Sequence, residues 1–250
     1  MKSAPAIRVG IGGWVFPPWR GVFYPPGLPQ TRELHFASRE LTTIEINGTF
    51  YGAQKPASFR RWHDETPEDF VFSVKGPRFA THRPDLADAG PTIDRFLASG
   101  IPELRDKLGA ILWQFPPGAP ADEGDFAAFL DLLPDQLDGR TLRHAVELRK
   151  RNQPDPSLTD LLRRRRVALV IGDSPQQFEI TADFIYAHLR HCVEEEPAGY
   201  PTEALDAWAG RLRESAAQGP CDCFVYFISG AKVRAPAAAQ ALLRRLAVPI

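Results

Sequence analysis

Short apolar runs alternate with longer amphipathic ones along this chain of 250 residues. Eight runs have the length and the β-branched or aromatic content of buried strands: residues 7–13, 42–47, 70–75, 109–115, 144–149, 167–173, 184–190 and 223–229. Between most of them apolar residues recur at helical spacing, as in "TRELHFASREL", "PASFRRWHDE", "DEGDFAAFLDLL", "SLTDLLRRRR" and "TEALDAWAGRLRES". A last helix, "PAAAQALLRRLA", follows the eighth strand. Pro56, Pro201 and Pro236 stand where a first helical turn tolerates proline. One connection is weak: "SPQQFEITAD", after the sixth run, is short and polar. Strand–helix alternation predicts a parallel sheet. Eight strands with a helix after the last predict a TIM (β/α)8 barrel forming one domain over residues 1–250, with an open doubly wound parallel sheet as the alternative.

Within the strands the polar positions are not random. In "TTIEINGTFYG", Thr43, Glu45 and Asn47 share one face and Ile44 and Ile46 the other, because side chains two apart on a strand point the same way. In a barrel the isoleucines face the helix ring. The carboxylate and amide then face the interior near the C-terminal mouth, where barrel active sites sit. The same alternation turns Ser73 and Lys75 inward on the third strand, Glu147 and Arg149 on the fifth, and Tyr186, His188 and Arg190 on the seventh. Gln114 closes the fourth strand and Asp173 the sixth.

Composition narrows the classes. The chain is 44% hydrophobic and 24% charged, ordinary values for a soluble domain. A net charge of -1 gives no global field for nucleic acid or anionic lipid. No apolar signal segment opens the chain and no window is long enough for a membrane span, so a cytoplasmic location is expected. Cys192, Cys221 and Cys223 are too few for a structural zinc site and read as inert thiols. "GIGG" lacks the dinucleotide-binding spacing, so no organic cofactor is implied. No metal constellation is evident; a carboxylate-held divalent ion stays open, since spacing seldom reveals one. "RRRR", residues 163–166, ends a helix on the barrel's N-terminal side, where cations suit a helix C-terminus. "EEEP", starting at Glu194, reads as a solvated loop. No feature sets an oligomeric state.

The motifs "GIGGWVFPPWRGVFYP", "EINGTFYGAQKPASFRRW", "FVFSVKGPRFATH", "LGAILWQFPP" and "VYFI" resemble, in order, those of the bacterial family called domain of unknown function 72, or YecE-like. The resemblance implies a TIM barrel and no established activity. It picks out Trp14, Trp19, Tyr24, Glu45, Asn47, Phe50, Tyr51, Trp62, Lys75, His82, Gln114 and Glu147 as matching the family's recurring positions. The second half departs from that pattern. Strand seven of the family usually reads Tyr-x-Arg-Leu-His-Gly, whereas "YAHLRH" here exchanges the arginine and histidine positions. "FIS" replaces Phe-Asn-Asn after the eighth strand, and "LRKRNQP" lacks an aromatic after Glu147, which marks a divergent branch.

These positions lead to an expected enzyme of hydrolase or isomerase type, acting by acid/base chemistry on a small polar, anionic substrate. Glu45 is the expected base or acid and Glu147 its opposite number, with Lys75 catalytic or charge-holding. Asn47, Gln114, Arg149, Asp173, His82, Trp14, Tyr51, His188 and Arg190 are the expected substrate-binding set. Competing readings make Glu45, Lys75, Glu147 and Arg149 a purely structural ion-pair network, Asp173 a turn cap, and Trp14 and Tyr51 parts of a self-packed lid. Two alternatives to the enzyme are a metal-dependent phosphodiesterase that binds nucleic acid, which is not favoured, and a non-catalytic ligand-binding or interaction module.

Overall fold

The computed structural model describes residues 6–120, 122–148, 156–173, 179–218 and 221–247. Arg149, expected to line the mouth, lies outside them. Eight parallel strands make the sheet: β1 Ile7–Gly12, β2 Thr43–Ile46, β3 Val71–Lys75, β4 Leu108–Phe115, β5 Arg143–Leu148, β6 Ala168–Leu169, β7 Phe184–Leu189 and β8 Asp222–Phe227. Their order is β6-β5-β4-β3-β2-β1-β8-β7. Among the described residues the ring closes between β6 and β7 through a single bridge, Ile171 to Ala187, with the Ile171 N–H on the Tyr186 carbonyl and the His188 N–H on the Ile171 carbonyl, both at 2.9 Å. This is the expected TIM barrel, nearly closed.

The helices are α1 Glu33–Glu40, α2 Pro56–Glu65, α3 Gly90–Leu97, α4 Glu123–Asp131, α5 Pro156–Arg165, α6 Thr202–Ala217 and α7 Ala235–Ala247; all but α3 fall on segments whose pattern predicts a helix. Pro56 opens α2 at a position whose N–H would have no intrahelical partner. The Asp122 carboxylate accepts the Asp125 N–H at 2.7 Å and caps α4. None of the helices is long and apolar enough to cross a membrane. Of the basic run, Arg163 pairs with Asp160 and Glu179 and Arg165 with Asp131, so these cations sit in exposed ion pairs rather than a free basic patch.

The run at 167–173 yields only two residues of regular ladder. The reason is a side chain standing in for a strand. Thr181 Oγ1 accepts the Leu169 N–H at 2.8 Å and donates to the Val167 carbonyl at 2.6 Å, satisfying the backbone on that edge without β7.

Alternation splits the core in two. Val9, Ile11, Ile44, Ile46, Phe72 and Val74 face the helices in a continuous outer layer. Val71, Ala110, Leu112, Ala145, Phe184, Tyr186, Phe224 and Tyr226 belong to a separate cluster inside the barrel. Each large apolar side chain fully buried this way contributes about 1.5–3 kcal/mol. The floor is closed by Arg143, which ion-pairs with Asp222 at 2.7 Å beside the Phe184 and Phe224 rings.

At β1 the interior positions are glycines for a steric reason. A Cβ on Gly10 would lie 1.8 Å from the Thr43 carbonyl oxygen, a backbone atom that cannot yield without moving β2. Gly10→Ala is therefore expected to cost at least ~2 kcal/mol in denaturant unfolding or to prevent folding. Gly52→Ala, at an extended residue with nothing within 4 Å of the new methyl, is expected to stay within about 0.5 kcal/mol of wild type. Equal effects at the two sites would show that the β1–β2 approach is not the constraint.

Candidate active site

The strand ends carry a chain of charged groups across the mouth. Glu45, near the end of β2, is 1% exposed. Its Oε2 accepts the Tyr186 hydroxyl at 2.6 Å and lies 2.6 Å from His188 Nε2, both on β7. Burial pushes the Glu45 carboxyl up. The electrostatic pull and hydrogen bond of His188, the Tyr186 hydrogen bond and the nearby Lys75 outweigh that and hold it at about 2. An ionised Glu45 accepts, so the proton of this contact sits on Nε2.

The other ring nitrogen of His188 faces a second set. Arg190 Nη2 is 3.1 Å from Nδ1, and Glu147 Oε1 is 3.4 Å from it. Arg190 also ion-pairs with Glu147 Oε1, while Gln114 Nε2 donates to Glu147 Oε2. Thus Glu45, His188, Arg190, Glu147 and Gln114 form one connected network, and the imidazole, 0% exposed, bridges the two carboxylates. Burial lowers the Arg190 guanidinium from its ordinary value, with the Glu45 charge opposing.

Below Glu45 lies a layer of hydroxyls. Tyr226 donates to Ser73 Oγ at 2.7 Å and lies 2.9 Å from Thr43 Oγ1. Burial, then the Glu45 charge, pushes the Tyr186 phenol well above its ordinary 10, so it remains a donor. Around the rim, one-turn helices at Gly48–Tyr51 and Arg78–Thr81 buttress the strand ends. The Thr49 hydroxyl donates to the Lys75 carbonyl and the Thr81 hydroxyl to the Gln114 carbonyl, each at 2.6 Å. The Lys75 ammonium lies 4.7 Å from the Phe50 ring centroid.

Other expected residues are placed elsewhere. Asp173 accepts the Arg190 N–H with both oxygens at 2.9 Å and also takes the Tyr200 hydroxyl, so its carboxylate staples the end of β7. The Trp14 ring packs edge-on to Trp62 at 5.2 Å and near the outward-facing Phe72, in the layer behind the strands. His82 is exposed, with its ring 5.5 Å from Phe50, and Tyr51 is 73% exposed on the rim. The half-buried Asn47 places its amide nitrogen against Gly12, where a Cβ would come within 2.8 Å. Tyr186, Ser73 and Tyr226 were absent from the expected binding set although alternation marks Tyr186 and Ser73 as inward. The three cysteines are free and buried, and burial pushes the Cys192 thiol up to about 12. Among the described residues no group of three or more His, Cys, Asp or Glu side chains is placed to hold a metal ion.

The fold and this network define a TIM barrel with two carboxylates, an imidazole and a guanidinium linked at its C-terminal mouth. The chain belongs to the family described as "Protein of unknown function DUF72", which it matches over residues 8–249. It is 29% identical over 170 residues to the UPF0759 protein YecE of Escherichia coli K12, an alignment covering 67% of this chain and 59% of that protein. The chain therefore spans less than two thirds of that relative. A DUF72 family structure from Thermotoga maritima superposes with a TM-score of 0.72 at 22% identity, covering 95% of this chain and 97% of that one. A second, from Enterococcus faecalis, gives 0.72 at 17% identity, covering 98% and 96%.

The depressed Glu45 value fixes the sign of its pH dependence. The folded carboxyl titrates at about 2, below its ordinary 4.5, so the ionised form contributes stability that is complete above pH 4.5 and is lost as pH falls through about 2. The loss is expected to be on the order of 3 kcal/mol. Glu45→Gln should be less stable near neutrality and lack this component of acid sensitivity. Parallel acid profiles for the two proteins in denaturant titrations would count against a stabilised carboxylate.

Proposed function

We propose that the mouth is the active site of an enzyme of hydrolase or isomerase type, in which His188 exchanges a proton with a small anionic substrate. The observation that carries this reading is the buried imidazole held at 2.6 Å by the Glu45 carboxylate through Nε2, with Nδ1 directed at Glu147 and Arg190. A carboxylate that titrates at about 2 is a poor base near neutrality. Glu45 is better suited to orient the ring and to stabilise the imidazolium formed when Nδ1 accepts a proton. Glu147 is the second carboxylate, placed for the complementary transfer. Arg190 and Lys75 supply charge for the anionic group, and Gln114 holds Glu147 in register. A substrate anion drawing Arg190 toward itself would free Nδ1, consistent with catalytic contacts that tighten only when substrate binds.

The test is a turnover screen of small carboxylates and phosphorylated metabolites in deuterated water, followed by NMR for product and for solvent deuterium. Wild type is expected to convert at least one compound. His188→Gln and Glu45→Gln are expected to fold yet lose ~10²-fold or more in rate. Undiminished rates in both folded variants would sink the proposal. Saturable binding with no turnover in wild type would make the mouth a ligand-binding module instead.

A further inference from the structure

The loop that leaves β8 carries a cation that the network above does not use. Residues Lys232–Arg234 form a single 3-10 turn between the end of β8 and the start of α7, on the mouth side of the barrel. The Lys232 ammonium lies 4.9 Å from the Phe16 ring centroid and 5.5 Å from that of Trp19, both in the loop after β1. The Trp19 ring is fully buried, and its Nε1 donates to the Lys232 carbonyl at 2.9 Å, so the lysine backbone is pinned beneath its own side chain's platform.

The side chain is half-buried and, among the described residues, has neither a carboxylate within salt-bridge reach nor a hydrogen-bond acceptor. The contrast with Lys107 is direct. That buried ammonium is satisfied by the carbonyls of His63 and Thr66 and the Thr66 hydroxyl, at 2.6, 2.8 and 3.2 Å. The ammonium keeps its contact with solvent, since Lys232 Nζ is not among the fully enclosed polar atoms without a partner, and the two ring faces are its neighbours. Burial alone lowers the Lys232 ammonium from its ordinary value, with no acidic group opposing it.

Three residues earlier in the same loop, the half-buried Ser229 hydroxyl has no hydrogen-bond partner among the described residues. The loop itself is rigidly placed. Gly230, at φ 78, is crowded against Cys192 and the Arg190 carbonyl, and the Ala231 N–H donates to the Cys192 carbonyl at 2.7 Å. The β7 and β8 loops are therefore fastened together two residues beyond Arg190. Loops after strands seven and eight are a frequent phosphate seat in barrels of this architecture.

We propose that the β8 loop, through Lys232 and Ser229, binds a phosphate group, so that the substrate of the mouth is a phosphorylated small molecule whose reacting end lies toward His188. This rests on the proposed active site for the word substrate, but the phosphate seat can be tested without turnover. The probe is inorganic phosphate, titrated into the full chain with calorimetry and with NMR of the lysine side-chain CH2 groups, using acetate in parallel.

Saturable phosphate binding is expected for wild type, with the Lys232 resonances shifting at the same midpoint and acetate weaker. Lys232→Met should weaken phosphate by at least about tenfold, and Lys232→Arg should restore much of it. Absent saturable binding, or shifts at Lys75 with none at Lys232, would overturn the phosphate seat. Should Lys232→Met fail to fold, the wild-type Lys232 resonances alone decide. Acetate binding as tightly as phosphate would replace the phosphate assignment by a general anion seat. Phosphate binding at Lys232 together with a failed turnover screen would leave the seat intact and remove only the enzyme reading.

Discussion

The interior of this barrel is organised around the need to keep one carboxylate ionised out of water. An isolated carboxylate in such a place would take up a proton or unfold its surroundings. Glu45 does neither because Tyr186 and His188 deliver hydrogen bonds to it, and Lys75 stands nearby. Each of those partners is then constrained in turn. Tyr186 lies over the Ser73–Tyr226–Thr43 hydroxyl layer, and His188 is trapped between Glu45 and the Arg190–Glu147 pair. Removing one member leaves another buried and unpaired, so this polar layer is held together as a unit.

Much of this was legible in the residues because barrel strands obey a two-residue period. Alternation placed Glu45, Lys75, Glu147, His188 and Arg190 on inward faces, and the structure gathers four of them in one network with Lys75 beside it. The division of labour was not legible. Whether Glu45 is a base or a fixed anion depends on Tyr186 and His188, 141 and 143 residues away, and no local pattern encodes that pairing. The exchange of histidine and arginine on strand seven has a simple spatial meaning. The two residues share a face, so both side chains stay inside, with the imidazole at the deeper position and the guanidinium at the shallower.

Where a residue of the expected binding set lies away from the network, the strand period had already ended. Trp14 follows Gly13, whose φ of 72 turns the chain, and its ring goes behind the sheet instead of over the mouth. Asp173 follows the last bridge of the sixth strand, and its direction is set by the N–H groups of β7 that it captures. Beyond a strand end, side-chain direction belongs to the turn, and turns are the part of a sequence least constrained by periodicity.

The seam between β6 and β7 gives the imidazole an unusual mounting. On one side β7 is laced to β8 from Phe184 to Leu189; on the other, one bridge and the Asp173 carboxylate replace a ladder. His188 is therefore carried on what is, in hydrogen-bonding terms, almost an edge strand within a nominally closed cylinder. Side chains therefore do on that flank what a ladder does elsewhere: the Asp173 carboxylate on the Arg190 N–H, and the contacts of His188 with Glu45 and Glu147, fix the tip of β7 from across the barrel.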